Sequence, residues 1–436
     1  IAQQLEHMEI SPAGEDGQYF QPFGDGFSNV LALLPGDDPE LAGEVIVVGA
    51  HFDHIGFGRK RDNAQIHPGA DDNATGVAAV LELAEAFRHF APPCRRSILF
   101  AFWDAEEKGL LGSKHWVNNP TVPLKSVVLA LNFDMLGRLR EDRLHLVGTR
   151  SGVGWRRLFV LHNPGDLSLV FSWSIHPPSD HLPFINAGIP AVMFHTGLHE
   201  DYHKPTDTAD RINYAGMERI VRYAFFVVYD LASRDKLPPY RPEAKQEKAP
   251  EWPAEPVPRL GVRCQATKEN GQWVEIVEVL PGSPAEQAGI RAQDRILRVD
   301  GREHPSWEDL LTAVSTAENE VSLVVQSQGQ DDLRQMTVTL TGPPMPLGLI
   351  LGRDEADPEA ALVIGVIPAS PAALAGIREG DRIWEVNGRP LGPDPTGTLP
   401  QLIKAERQAN PHLSVIFSVE REGRILRIAI PDPSLN

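Results

Sequence analysis

Five residues of metal-binding type, His51, Asp72, Glu107, Asp134 and His203, each stand beside a strand-like run and each in a distinctive local phrase. The phrases read VGAHFDH (48–54), GADDNATG (69–76), WDAEEKG (103–109), NFDMLG (132–137) and DYHKPTDT (201–208). Zinc takes histidine nitrogen and carboxylate oxygen at roughly 2.0–2.2 Å, and a catalytic zinc keeps a position open for water. Two imidazoles and three carboxylates suffice for a pair of ions. With one carboxylate bridging, the two would lie roughly 3.5–4 Å apart, able to clamp a carbonyl and generate hydroxide near neutral pH. Glu106 and Glu107 are the sharpest local signal. Consecutive side chains at a strand end diverge, so Glu107 can ligate while Glu106 faces the attacking water as general base. Asp53, two residues after His51, is placed to accept the other imidazole N–H and fix its tautomer. The chemistry to which the set points is hydrolysis, of peptides above all.

Taken alone, any one of these acids reads as a solvated loop or helix-cap residue, and either histidine as a structural one. The case rests on five phrases falling in order at strand ends. His54 and His67 lie in the long stretch 52–70, and as loop histidines they are read as solvated and left out of the ligand set. Ser179-Asp180-His181 suggests nucleophilic catalysis on paper, but adjacent residues cannot point at one another as a triad requires.

The elements that must position the five residues are legible around them. EVIVVGAH (44–51), SILFAFWD (97–104), SVVLALNFD (126–134) and IPAVMFH (189–195) are apolar, β-rich runs that read as buried strands. GVAAVLELAEAFRHF (76–90) carries apolar residues at helical spacing. Strands alternating with helices predict an α/β domain, a mixed and mostly parallel sheet flanked by helices, with ligands just past the strands' carboxyl ends.

At 436 residues the chain fits two to four domains. Residues 236–258, rich in Pro, Lys and Glu, read as a stiff linker. Beyond it PGSPAEQAGIRAQDRILRVDGR (281–302) returns 87 residues later as PASPAALAGIREGDRIWEVNGR (368–389), each copy preceded by a Leu-Gly phrase, Leu260-Gly261-Val262 and Leu347-Gly348-Leu349. The expected organisation is one large domain (1–236), a linker (237–257) and two small β-rich domains (258–342 and 343–436), with helices at 307–317 and 399–408. A formal charge of −18 argues against nucleic acid or an anionic membrane as partner. No apolar run approaches the roughly 20 residues that span a bilayer. Cys94 and Cys264 are the only cysteines, too few for a disulfide framework. The first residue is Ile rather than Met, and with it the reading expects a removed upstream segment and an extracytoplasmic setting.

The five phrases resemble the co-catalytic di-zinc aminopeptidase family, which includes glutamate carboxypeptidase II-like enzymes and glutaminyl cyclases, over roughly residues 1–236. The resemblance implies two Zn2+ ions, with His51, Glu107, Asp134 and His203 as terminal ligands, Asp72 as the bridge and Glu106 as general base. It implies Asp53 as the acid behind the ligand histidine and Tyr202 as a donor to the tetrahedral oxyanion. It places the bridge immediately before Asn73, which leaves Asp71 structural, and it implies a cis peptide at Asp72-Asn73. The repeats resemble bacterial-type PDZ domains, implying that a Gly-containing loop receives a chain-terminal carboxylate while a strand edge pairs with an extended peptide. The expected activity is zinc exopeptidase, most simply aminopeptidase, on peptide substrates. A carboxypeptidase using the same metals, a glutaminyl cyclase, and a PDZ adaptor with a relic hydrolase domain are the alternatives.

Overall fold

In the computed structural model of the chain, residues 1–57, 65–249, 259–265, 273–329, 331–410 and 414–430 are described. They form two compact units, the first built on Ile1–Ala249 and the second on the residues that follow.

The first unit is organised by a nine-stranded mixed sheet. Its strands are β1 (Ser11–Pro12), β2 (Phe20–Phe23), β3 (Phe27–Leu34), β4 (Val45–His51), β5 (Ser97–Trp103), β6 (Val127–Phe133), β7 (Arg143–Val147), β8 (Ser168–Phe171) and β9 (Ala191–His195). They lie in the order β1-β3-β5-β4-β6-β9-β7-β8, with β2 also on β3. The central strands β5, β4, β6 and β9 run parallel, while β3 and β7 add antiparallel at either side. Burial explains the continuous apolar runs: β4 and β5 are buried at every residue, as parallel strands covered on both faces must be.

One face packs against α3 (Leu111–Asn118) and α5 (His181–Asn186), whose Trp116 and Phe184 join Val45, Val47, Leu99, Ala101 and Trp103 in a single core. The next residues along β4 and β5, including Ile46, Val48, Phe100 and Phe102, are equally buried and point to the other face by the alternation of a strand. There α2 (Gly76–His89) lies against β4, and α6 (Tyr214–Ser233) lies against α2, with Tyr223 meeting Phe194 of β9. The helix expected at 76–90 is thus present, burying Ala79, Val80, Leu83 and Phe87 on the stripe its spacing predicts.

The first unit runs further than 236. Tyr240 pairs with Gly152, Ala244 is buried in the sheet's core, and Arg150 and Arg241 both grip Glu247. Composition made 237–249 look like linker because its polar residues are many, yet its few apolar groups and paired charges are spent on packing. The rest of the expected linker, 250–257, lies outside the described residues.

The second unit holds two six-stranded sheets of matching topology. The first comprises β10 (Val262–Gln265), β11 (Val274–Val279), β12 (Arg295–Val299), β13 (Arg302–Glu303), β14 (Glu320–Gln326) and β15 (Leu333–Thr339), with helices α7 (Pro284–Gln287) and α8 (Trp307–Thr316). The second comprises β16 (Leu349–Arg353), β17 (Ala361–Val366), β18 (Arg382–Val386), β19 (Arg389–Pro390), β20 (Val415–Arg421) and β21 (Arg424–Ile430), with α9 (Pro371–Leu374) and α10 (Pro395–Ala409). The repeated Ser-Pro explains α7 and α9: Ser283 and Ser370 cap them and proline takes the first turn, where its missing N–H costs nothing. Gly261 and Gly348 sit at φ +78° and +71°, and a Cβ on either would lie 2.2 Å from the Cβ of the capping serine. Helix α10 begins earlier than the expected residue 399, because Pro395 is tolerated at its start. No helix among the described residues is long and apolar enough to cross a membrane.

Candidate metal centre

The carboxyl edge of the parallel strands gathers the five residues. His51 closes β4, Glu107 and Asp134 follow β5 and β6, Asp72 lies in the turn before α2, and His203 lies in the loop after β9. His51 Nε2 stands 3.3 Å from Asp72 Oδ1 and 3.6 Å from Asp134 Oδ1. His203 Nε2 stands 3.0 Å from Asp72 Oδ2 and 3.2 Å from Glu107 Oε1. The two oxygens of Asp72 therefore face two different donor groups.

That division is what a bridging carboxylate requires. Two donors bound to one ion at about 2.0–2.2 Å, with a tetrahedral angle between them, stand about 3.4 Å apart. The observed separations bracket that value, and the donor set of imidazole nitrogen and carboxylate oxygen suits zinc. Glu107 Oε1 is buried between two imidazoles, 3.2 Å from His203 Nε2 and 3.0 Å from His54 Nδ1, a placement that suits a cation shared among the three.

The ligands are held by groups that do not themselves ligate. Ser179 donates to Asp134 Oδ2 at 2.6 Å and receives Asn132 Nδ2 at 2.8 Å. Asp180 instead takes Ser113 Oγ, and His181 Nε2 meets the Ile175 carbonyl at 2.9 Å, so the three adjacent residues serve three separate partners and form no triad. Asn73 ties the turn to β6, donating to the Phe133 carbonyl and accepting from the Met135 and Gly76 amides. The Asp72-Asn73 peptide is cis. Asp71 turns away from the donors: its oxygens take the Gly137 amide at 2.6 Å and face His199 Nε2 at 3.1 Å.

Asp53 differs from expectation in how it acts. The His51 Nδ1–H meets the Asp53 backbone carbonyl at 3.2 Å, with the carboxylate oxygen further off at 3.6 Å. The carboxylate accepts the Glu106 and Glu107 amides at 2.8 and 3.3 Å, so it fixes the paired glutamates instead. The tautomer of His51 is set from Asp53 all the same, through the main chain.

Charge follows from this packing. Burial pushes the Glu106 carboxyl up to about 9, with His51 opposing and Asp180, Asp134 and Glu107 adding to the rise. Burial would raise Glu107 too, but hydrogen bonds with His203 and His54 win and hold it down to about 2. Hydrogen bonds to Asp72 and Glu107 carry His203 up to about 10. The adjacent glutamates thus hold opposite proton affinities, with Glu106 retaining a proton where Glu107 is ionised. The Tyr202 ring stacks on His203 at 3.8 Å between centroids, and burial with the surrounding acids raises its hydroxyl.

Three residues escaped the sequence reading. Asp207, fully buried, accepts the Asp71 and Asp72 amides at 2.9 and 3.1 Å and Arg138 at 3.3 Å. Arg138 also reaches Asp201, which takes Arg211 and Thr206 as well, so the loop carrying His203 is tied to the turn carrying Asp72. The available signal was the two acids flanking His203 in its own phrase. The third is His54, whose Nδ1 lies 3.0 Å from Glu107 Oε1. His67, left out with it, meets the Gln65 carbonyl and pairs with Gly56.

Fold and donor set together define a mixed α/β sheet with a candidate metal cluster at its carboxyl edge, the class of a metal-dependent peptidase, and the comparisons agree with that class. Residues 29–228 match Peptidase family M28, and 275–327 and 362–421 each match the PDZ domain. The chain carries an M28 peptidase domain followed by two PDZ domains. It is similar to leupeptin-inactivating enzyme 1 of Streptomyces exfoliatus, 28% identical over 51% of this chain and 52% of that protein. Aminopeptidase YwaD of Bacillus subtilis is 30% identical over 45% and 43%. The probable lipoprotein aminopeptidase LpqL of Mycobacterium tuberculosis is 30% identical over 39% of each. Among solved structures, BSAP, a zinc aminopeptidase from Bacillus subtilis, is 25% identical with a TM-score of 0.40, covering 48% of this chain and 51% of that one. The chain spans about half the length of the curated relatives it matches.

Proposed function

We propose that this chain is a zinc-dependent aminopeptidase that removes the N-terminal residue of peptides, with two zinc ions at the His51–His203 edge and PDZ domains that hold peptide or protein C-termini. The observation that carries the reading is Asp72, whose two oxygens face separate donor groups, while Glu106, within electrostatic reach of His51, Asp134 and Glu107, belongs to neither. Zinc bound there would polarise the scissile carbonyl and lower the pKa of water. The chain's own residues supply the rest. With cations bound beside it, the Glu106 carboxyl is drawn back down and stays ionised, able to take a proton from the attacking water and return it to the leaving amine. Asp53 holds the Glu106 amide so that this carboxylate does not wander. Tyr202 stacks on His203 with its hydroxyl protonated, in the state a donor to an oxyanion needs.

A carboxypeptidase would need a cation for the substrate carboxylate. Arg138, close after Asp134, is spent on Asp201 and Asp207, and Arg140 on the Leu198 carbonyl, which favours the aminopeptidase. In the PDZ domains β10 and β16 lie at sheet ends, where an extended peptide can add a strand. An extracytoplasmic setting belongs to the same proposal, supported by the lipoprotein named among the relatives.

The test is metal content together with hydrolysis of free and amino-blocked aminoacyl chromogenic substrates, before and after chelation. Two zincs per chain and chelator-sensitive cleavage of free-amine substrates alone are expected. A fully loaded protein inert toward the panel would reject the activity and favour the adaptor.

A further inference from the structure

The second donor group of Asp72 contains one nitrogen more than it needs. His54 Nδ1 lies 3.0 Å from Glu107 Oε1 and 3.9 Å from Asp72 Oδ2, the same two carboxylates that His203 approaches from the other side. The His54 side chain is only 10% exposed, its Nδ1 is aimed at the Glu107 oxygen, and its Nε2 has no hydrogen-bond partner among the described residues. A buried imidazole nitrogen aimed at two carboxylates must either carry a proton toward them or give its lone pair to a cation that they share.

The main chain is shaped to admit that ring. Gly69, at φ +64°, comes so close that a Cβ there would stand 2.6 Å from His54 Cγ and 2.5 Å from the Asp72 carbonyl oxygen. Any side chain at 69 would drive the imidazole away from the carboxylates. The His54 and His203 rings meet edge to face at 5.7 Å, and each has a nitrogen within 3.9 Å of both Asp72 Oδ2 and Glu107 Oε1. All these separations, from 3.0 to 3.9 Å, fall within the spread of donors sharing one ion at about 2.1 Å.

We propose that His54 is a nitrogen donor to the metal position framed by Asp72, Glu107 and His203, giving that position two imidazoles against the single His51 of its neighbour. This rests on the metal reading above. It makes the two positions chemically unequal: the one holding His54 is richer in nitrogen, and its second imidazole comes from the short segment after β4 rather than from the loop that carries His203.

The experiment uses the full chain, stripped with a chelator and titrated with Zn2+ against a chromogenic chelator, then with Co2+ read by its visible ligand-field bands. Wild type is expected to bind two ions. His54→Ala and His54→Gln are each expected to keep one ion at wild-type affinity and to weaken the other at least about tenfold, the loss that even an outer partner of a ligand causes. His203→Ala should weaken the same ion, and the Co2+ bands lost in it should be those altered in the His54 variants. Retention of the first ion certifies that a variant is folded. Both ions held within about twofold of wild type by both His54 variants, with unchanged bands, would overturn the inference. Loss of both ions together would overturn it too, since His54 would then support the whole edge. A wild-type chain that fails to bind two ions would instead refute the metal reading itself.

Discussion

Asp207→Asn isolates a residue that touches no reacting group yet holds the residue on which the site turns. The Asp207 carboxylate is fully buried and accepts three hydrogen bonds, from the amides of Asp71 and Asp72 and from Arg138. Asparagine keeps the shape but has one acceptor oxygen. If that oxygen faces the two amides, its NH2 meets the guanidinium; if it turns round, its NH2 meets the amides. Either way donors oppose donors. Hydrogen bonds to a charged group contribute about 1.5–3 kcal/mol each, and a buried donor left alone costs about 1–3 kcal/mol. Arg138 keeps Asp201, so it is not stranded, and the net loss should be about 2–4 kcal/mol. In a unit of this size that is about 4–16 °C in Tm. Calorimetry on chelator-stripped protein reads it without the stabilisation that bound metal adds. With zinc restored, the loosened Asp72 amide should also show as weaker metal retention. A Tm within about 2 °C of wild type and unchanged zinc affinity would refute the claim that Asp207 positions the bridge.

Glu106→Gln should retain both metals and lose about 10²–10⁴-fold in turnover, and equal activity would remove it as base. Glu247 tests the extended boundary of the first unit. Burial would raise its carboxyl, but Arg150 and Arg241 hold it down to about 2 from 4.5. A depressed carboxyl stabilises fully above its unfolded value and loses that contribution as pH falls through the folded one. Glu247→Gln should therefore be less stable than wild type at neutral pH and converge with it between pH 4.5 and 2, and parallel acid-unfolding curves would contradict the pairing. Gly348→Ala should cost the second PDZ domain about 1–2 kcal/mol from its left-handed backbone and more from the clash with Ser370, seen as an earlier unfolding transition of that domain and a weakened response to C-terminal peptides.

What was legible in the sequence, and what was not, divides along the distance over which a residue acts. His51, Glu107 and Asp134 could be read because a buried parallel strand announces itself as an apolar run, and its carboxyl end is where side chains leave the sheet. Asp72 and His203 came with their phrases. Asp207 and Arg138 did not, since an acid that accepts amides 135 and 136 residues earlier carries no local mark. His54 was misjudged for a related reason: loop histidines are usually solvated, and only the fold brings Gly69 against its ring.

The acids that were hardest to read share one job. Asp53 and Asp207 each spend a carboxylate on two consecutive backbone amides, those of Glu106 and Glu107 in one case and of Asp71 and Asp72 in the other. Both pairs include a ligand and sit where the chain departs from regular structure, at Ala105 with φ +58° and at the turn before α2. Neither a helix nor a sheet ladder can satisfy amides there, so charged side chains from distant segments do it. The donor cluster is therefore fixed through its main chain as well as its side chains. That is why His54 stands out: among the described residues its ring is held at this edge by no hydrogen bond to the main chain, and its Nδ1 points at the same two carboxylates, Asp72 and Glu107, that His203 approaches from the other side.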